Sequence, residues 1–181
     1  MDVAGAWRFL EQSDLVASAE EVQAALRRVA SDVEARLAGA YPLVLAVMGG
    51  AVVFAGQLLP LLRFPLDFDY IHVSRYGAAT RGAAIDWRVT PPESARGRSV
   101  LVVDDILDGG DTMAAIRDRL LGLGAREFRC AVLVEKTLDR EKPIRADFVG
   151  LRVPDRFVFG YGMDAKGFWR NLPEIRAMHG H

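Results

Sequence analysis

Between Ser99 and Arg117 the chain sets out a run of residues able to do chemistry: the acids Asp104, Asp105 and Asp108, then Gly109-Gly110, then Asp111-Thr112. Carboxylates bind hydroxyls, hold hydrated metal ions and move protons. Adjacent glycines let the backbone come close to a bulky anion and accept positive φ. A helix opening near Thr112 directs the N–H groups of its first turn outward at the positive end of its dipole, so the turn reads as a phosphate cradle. Three acids beside an anion repel it unless they serve another purpose, such as binding sugar hydroxyls, holding Mg²⁺ through water, or taking a proton. A phosphorylated sugar meets all three requirements.

The elements that must position these groups are legible on either side. Val100 to Val103 are four β-prone apolar residues, too few for a helix, and read as a strand buried on both faces, as in a parallel sheet. Met113, Ile116 and Leu120 follow at helical spacing. Strand, loop and helix in that order place the acids at the carboxyl end of a strand, where open α/β sheets bind ligands. Two other readings stand beside this one. Acids after a strand are commonly solvated, with Asp111 or Thr112 as a helix cap. Asp104-Asp105-Ile106-Leu107-Asp108 also spells the DDxxD box by which isoprenoid synthases hold Mg²⁺-diphosphate. That box needs a helix to bring its acids to one face, and the β run before it and the Gly-Gly after it oppose a helix.

The composition of the 181 residues, 51% hydrophobic and 26% charged, fits one globular domain with a substantial core. A formal net charge of −1 gives no global field for nucleic acid or an anionic membrane, so any anion site is local. The single cysteine, Cys130, lies in an apolar run and reads as a buried core thiol. With no signal-peptide pattern at the N-terminus, a reducing cytoplasm is the expected location. Leu37 to Leu62 carries no charge and reaches the length of a membrane span, yet Gly49-Gly50, Gln57 and Pro60 interrupt it. Strand, tight turn and buried helix fit it better.

In chain order, Trp7, Phe9 and Leu10 either pack on the body or cover it. Ser18 to Glu21 is a capping-box pattern opening a scaffold helix that Gly39 stops. Leu43 to Val47 reads as the first core strand and Met48-Gly49-Gly50 as the turn into a helix from Val52 to Leu59; this turn is either a second anion-facing loop or a plain tight turn. Phe68 to Val73 is the next strand. The polar, glycine-punctuated stretch Ser74 to Gly82 suits a lid and equally a surface hairpin leading into Ala84 to Val89. After the acidic motif, a helix from Thr112 to Leu121 ends at Gly122 or Gly124. Phe128 to Val134 is a core strand with Lys136, by itself an ordinary surface charge, at its carboxyl end. His72, His179 and His181 have no metal-ligand spacing, and a frayed tail accounts for the last two.

Val102 to Thr112 resembles the phosphoribosyl-diphosphate (PRPP) binding signature of type I phosphoribosyltransferases. Ala146 to Asp164, with Pro154-Asp155 before Phe157-Val158 and then Gly160-Tyr161, is similar to the base-binding region of hypoxanthine-guanine phosphoribosyltransferases, and Phe168 to Pro173 closes it. The resemblance spans nearly everything from Leu43 to Pro173. It implies an α/β fold with a central parallel sheet flanked by helices, in a single domain of residues 1–181 with a small hood from about 1–17 and 150–181. It implies transfer of 5-phosphoribosyl from PRPP to N9 of hypoxanthine or guanine with Mg²⁺ as cofactor. A purine-salvage enzyme of this kind is expected to be cytoplasmic and a homo-oligomer, dimer or tetramer, without a specific nucleic-acid or membrane partner.

The same resemblance assigns roles. Asp104 and Asp105 would hold ribose hydroxyls and metal-bound water, and Asp108 would move the proton at purine N7. Gly109, Gly110, Asp111 and Thr112 would cradle phosphate. Met48, Gly49 and Gly50 would form the pyrophosphate loop, with a cis peptide at Met48-Gly49 and contact through backbone, because many members carry Lys or Arg where Met48 stands. Arg75 and Tyr76 would belong to the lid. Lys136 would donate to the 6-oxo group of the base, Phe157 would stack on it and the Val158 backbone would meet its edge. Asp164 would contact metal-bound water, and Arg170 would approach pyrophosphate. Non-catalytic RNA-binding regulators on the same fold, and enzymes for another 6-oxo base such as xanthine, are the competing implications.

Overall fold

The structure, a computed structural model, describes residues 2–75 and 85–179. In chain order its elements are α1 (Val3–Glu11), β1 (Ser13–Ala17), α2 (Ala19–Leu37), β2 (Leu43–Met48), α3 (Val52–Leu58), β3 (Asp67–Arg75) and β4 (Ile85–Val89). There follow β5 (Ser99–Leu107), α4 (Asp111–Leu123), β6 (Glu127–Thr137), β7 (Phe148–Pro154), β8 (Val158–Phe159) and β9 (Ile175–Met178). A six-stranded sheet runs β4-β3-β2-β5-β6-β7, and every neighbouring pair in it is parallel except the edge pair β3–β4. The mixed α/β class with a mostly parallel sheet is the one the sequence implies.

The sheet is central because its middle strands are apolar on both faces. Val100 to Val103 and Leu43 to Ala46 are each at most 2% exposed, which a strand tolerates only with a layer packed on either side. The Ser18 capping box forms as expected: its hydroxyl accepts from the Glu21 N–H, and the Glu21 carboxylate accepts from the Ser18 N–H. The helix it opens, α2, packs against β6 and β7, while α3 packs on β2 and β5 and α4 on β6. The charge-free segment is therefore core: strand, turn and a short helix that stops before Pro60, which has no N–H to continue it. No helix among the described residues is long and apolar enough to cross a membrane.

Around the phosphate turn, two boundaries differ from the sequence reading. Strand β5 does not end with its apolar run but continues through Asp104 to Leu107, because its ladder with β6 carries on to the pair Leu107↔Glu135. Helix α4 begins at Asp111, after Gly110 in the left-handed region at φ 88°, and runs through Gly122 to a left-handed Gly124.

A second, antiparallel sheet, β1-β9-β8, joins the two ends of the chain. Trp7 meets Trp169 edge-on with ring centroids 4.9 Å apart, and the Trp169 indole N–H donates to the Ala6 carbonyl at 3.0 Å. Phe9 packs edge-on against Phe159. Arg156 donates to the Asp14 carboxylate and, at 2.7 Å, to the Met178 carbonyl. The C-terminal histidines need a correction: His179 is no frayed end, since its Nδ1 lies 3.1 Å from the same Asp14 carboxylate. His181 lies outside the described residues.

Candidate active site

At the carboxyl ends of β2 and β5 a cavity of about 430 Å³ opens, lined by Met48, Gly49 and Gly50 on one side and by Asp104, Asp105, Asp108, Gly109, Gly110 and Thr112 on the other. Arg170 reaches into it from the C-terminal segment, and His72, weighed in the sequence only as a metal ligand, and Ile106 complete part of its wall. The Met48–Gly49 peptide is cis. Gly50 lies directly against Asp105, so a Cβ there would overlap the carboxylate, and a Cβ on Gly162 would overlap the Gly50 carbonyl. Three chain segments thus stack through two glycines that only a missing side chain allows. Asp111 opens α4 beside Gly109 and is not among the lining residues.

The two adjacent acids are the electrostatic centre of this cavity. The Asp105 N–H donates to Asp104 Oδ1 at 2.9 Å. Burial pushes Asp104 well above the usual carboxylate range, and the neighbouring Asp105 charge pushes the same way. Burial raises Asp105 too, against hydrogen bonds with Asp104 and the Ile106 amide and the positive charge of Arg170. An acid pair held this way gains from any cation placed against it. No cluster of three or more metal-ligating side chains occurs among the described residues. Hydrated Mg²⁺ does not require one, since it is commonly held by one or two carboxylates together with substrate phosphates.

A second, smaller cavity of about 200 Å³ shares Asp105, Ile106 and Asp108 with the first and adds Lys136, Phe157, Val158, Met163 and Asp164. Strand β6, which continues three residues past Val134, carries Lys136 here with its side chain 12% exposed; the ammonium donates to Asp108 at 3.2 Å and to Asp155 at 3.4 Å. Two of its three donors are so placed. Phe157 is 44% exposed, an aromatic face on the rim rather than a core residue, while Val158 is buried. Arg170 donates to the Gly162 carbonyl at 2.5 Å and to Asp164 at 2.6 Å, and the Gly167 N–H caps the other Asp164 oxygen at 2.7 Å. Asp164 therefore stands with the smaller cavity, tied to the arginine of the larger one.

Of the lid, Arg75 ends β3 and Tyr76 lies outside the described residues. Cys130 is fully buried and its thiol is pushed up to about 12 by burial, so it is an inert core residue as expected. Asp155 enters the sequence reading only as part of the base-region motif, without a role; its place as second acceptor for Lys136 depends on β6 and β7 lying side by side, which no local pattern announces.

A strand–acid–glycine–helix turn facing a glycine loop across parallel strands, with a second chamber beyond, is a layout suited to a phosphorylated sugar with a second ligand beside it. The chain belongs to the phosphoribosyl transferase domain family, which it matches over residues 14–166. It is 32% identical to the hypoxanthine-guanine phosphoribosyltransferase of Bacillus subtilis (strain 168) over 159 residues, covering 87% of this chain and 88% of that protein. It is likewise 32% identical to the hypoxanthine-guanine phosphoribosyltransferase of Aquifex aeolicus, over 89% of this chain and 92% of that one. Among solved structures, a hypoxanthine-guanine phosphoribosyltransferase from Bacillus anthracis superposes with a TM-score of 0.85 at 30% identity, over 91% of this chain and 98% of that chain.

Proposed function

We propose that this protein transfers 5-phosphoribosyl from PRPP to N9 of hypoxanthine or guanine, giving the nucleotide and pyrophosphate. The observation that carries this reading is the meeting of the two cavities on Asp108. The larger offers backbone, glycines and acids, suited to a phosphorylated sugar and its pyrophosphate; the smaller offers a lysine donor and an aromatic face, suited to a flat base with an oxo group.

In this reaction the bond from ribose C1 to the pyrophosphate oxygen breaks and a bond from C1 to N9 forms, through a centre that bears positive charge. Gly109, Gly110, Asp111 and Thr112 bind the 5-phosphate, and Asp104 and Asp105 hold the ribose hydroxyls. The Met48–Gly50 backbone and Arg170 receive the pyrophosphate. Lys136 donates to the 6-oxo group, Phe157 stacks on the ring and the Val158 backbone meets its edge. Asp108 takes the proton at N7 as the base becomes the nucleophile. Asp104 and Asp105, with Asp164, are the residues that would hold hydrated Mg²⁺, which when bound neutralises the leaving pyrophosphate. Arg75 and Tyr76 belong to the segment that would exclude water as a lid.

The single domain, with the small sheet as a hood over the base, belongs to the same reading, as do a cytoplasmic location and assembly into a dimer or tetramer. Phe68 and Tyr70 support the assembly: they lie two apart on β3, hence on one face, and are 45% and 43% exposed. Light scattering reads the assembly directly. A net charge of −1 without a basic cluster disfavours the RNA-binding alternative. Incubating the protein with PRPP, Mg²⁺ and either base, and resolving products chromatographically, tests the reaction: nucleotide and pyrophosphate should appear in equal amounts, and absence of both overturns it.

A further inference from the structure

Lys142 lies in the connection between β6 and β7, lines neither cavity described above, and plays no part in the reaction as derived. Its side chain is only 10% exposed. Burying an ammonium is costly unless every donor finds an acceptor. Here two of the three do, Nζ donating to the Leu107 carbonyl at 3.1 Å and the Lys136 carbonyl at 2.5 Å, and the charge is balanced by Glu135, whose Oε1 lies 3.6 Å away in an ion pair. Glu135 is held in turn by Arg152 at 3.2 Å. The Lys142 stem also underlies the phosphate turn, since a Cβ on Gly110 would stand 3.4 Å from the Lys142 Cβ.

The two carbonyls mark a fork. The β5–β6 ladder ends at Leu107↔Glu135. Beyond it β5 enters the turn at Asp108, while Lys136 stays paired with Val153 of β7. The strands therefore part at the two residues whose side chains meet across the chambers, Asp108 and Lys136, 3.2 Å apart. Lys142 bonds the carbonyl of the peptide leading into Asp108 and the carbonyl of Lys136 itself.

We propose that Lys142 is a positioning residue: a buried ammonium that clamps the fork between β5 and β6 and so fixes Asp108 relative to Lys136. The inference rests on the phosphoribosyl-transfer reading above. An error of about 1 Å in the placement of reacting groups costs on the order of 10²-fold in rate. A clamp of this kind therefore acts on kcat, whereas loss of a substrate contact acts on KM.

The test is steady-state kinetics with PRPP, Mg²⁺ and hypoxanthine on the full chain, comparing wild type with Lys142→Met, which keeps the stem and removes the donors, and Lys142→Arg, which restores charged donors. Lys142→Met should lower kcat by about 10–100-fold with both KM values within about 3-fold of wild type, and Lys142→Arg should recover at least half of that loss on a logarithmic scale. If Lys142→Met yields no folded protein, Lys142→Gln, which retains two N–H donors, carries the same expectation at the low end of the range. A kcat within 3-fold of wild type, a loss confined to KM, or equal impairment of the Met and Arg variants overturns the proposal. Inactive wild-type protein would instead overturn the underlying reading, so the two failures are distinguishable.

Discussion

The two chambers that meet on Asp108 are built in different ways. The larger one is built around two glycine turns, a loop after β2 and a turn after β5, beside acids still on the strand, all anchored in the buried middle of the parallel sheet. The smaller one gathers residues from the end of β5, from β6 and from the segment around β8, with Phe157 and Asp108 open to solvent. A phosphate presents the same charge and geometry in every substrate, so a rigid backbone cradle serves it. Bases differ by single donors and acceptors, and side chains can discriminate among those. The larger chamber should then govern whether PRPP reacts, and the smaller one which base receives the sugar.

Substitutions can break this division. The largest effect belongs at the seam: Asp108→Asn should lower kcat by ~10²–10⁴, the range of a lost acid–base group, while PRPP affinity changes little. Turnover near that of wild type would remove Asp108 from the proton transfer. Next, Lys136→Gln should cost about 10–100-fold in kcat/KM for hypoxanthine, the worth of a charged hydrogen bond, and narrow the gap to adenine; unchanged kcat/KM for every base would mean that Lys136 does not read the 6-position. Smaller still, Phe157→Ala should raise KM for the base by about 5–50-fold through lost stacking and leave KM for PRPP unmoved. An equal rise in both would erase the distinction between the chambers.

The smallest effect is on stability. Burial raises Asp104 and Asp105 in the native state, so folding takes up protons in the window between the ordinary carboxylate value, about 4, and the raised one. In that window the unfolded chain binds fewer protons, and stability without metal or PRPP falls as pH rises. The half-buried acids held low by partners, Asp14, Asp67 and Glu127, act in the opposite sense, below the ordinary carboxylate range. Asp104→Asn should therefore flatten the slope and raise Tm at neutral pH by about 2–4 °C, the equivalent of ~1 kcal/mol in a chain of this size. Thermal unfolding in chelator across pH 5–8 measures it, and a lower Tm for the variant would contradict the charge assignment.

The contrast between the chambers also explains what could be read in the sequence. The phosphate turn is contiguous, from Val100 to Thr112, and each part acts through local rules: β propensity, glycine freedom, helix spacing. Its error was the end of β5, because ladder bonds to β6, invisible in one strand's own pattern, hold Asp104 to Leu107 extended. The base chamber was legible only through resemblance, since Lys136 and Phe157 look like a surface charge and a core residue until the fold brings the end of β6 and the residue before β8 to one cavity. The pairing of β1 with β9, which joins the chain ends over more than 150 residues of sequence, left no local trace, and neither did α1. Lys142 was unreadable for the same reason: its partners are mainly backbone carbonyls, which every residue has.

The most direct test of the division of labour is the ratio of kcat/KM for hypoxanthine over adenine in the wild-type protein, at saturating PRPP and Mg²⁺. A buried donor matched to an oxo group is stranded opposite an amino group, and such sites discriminate by up to ~10⁴. The flexible Lys136 can turn partly toward Asp155 or water, so a ratio of about 10²–10⁴ in favour of hypoxanthine is expected. A ratio near one would contradict the account, because the smaller chamber would then not be choosing the base.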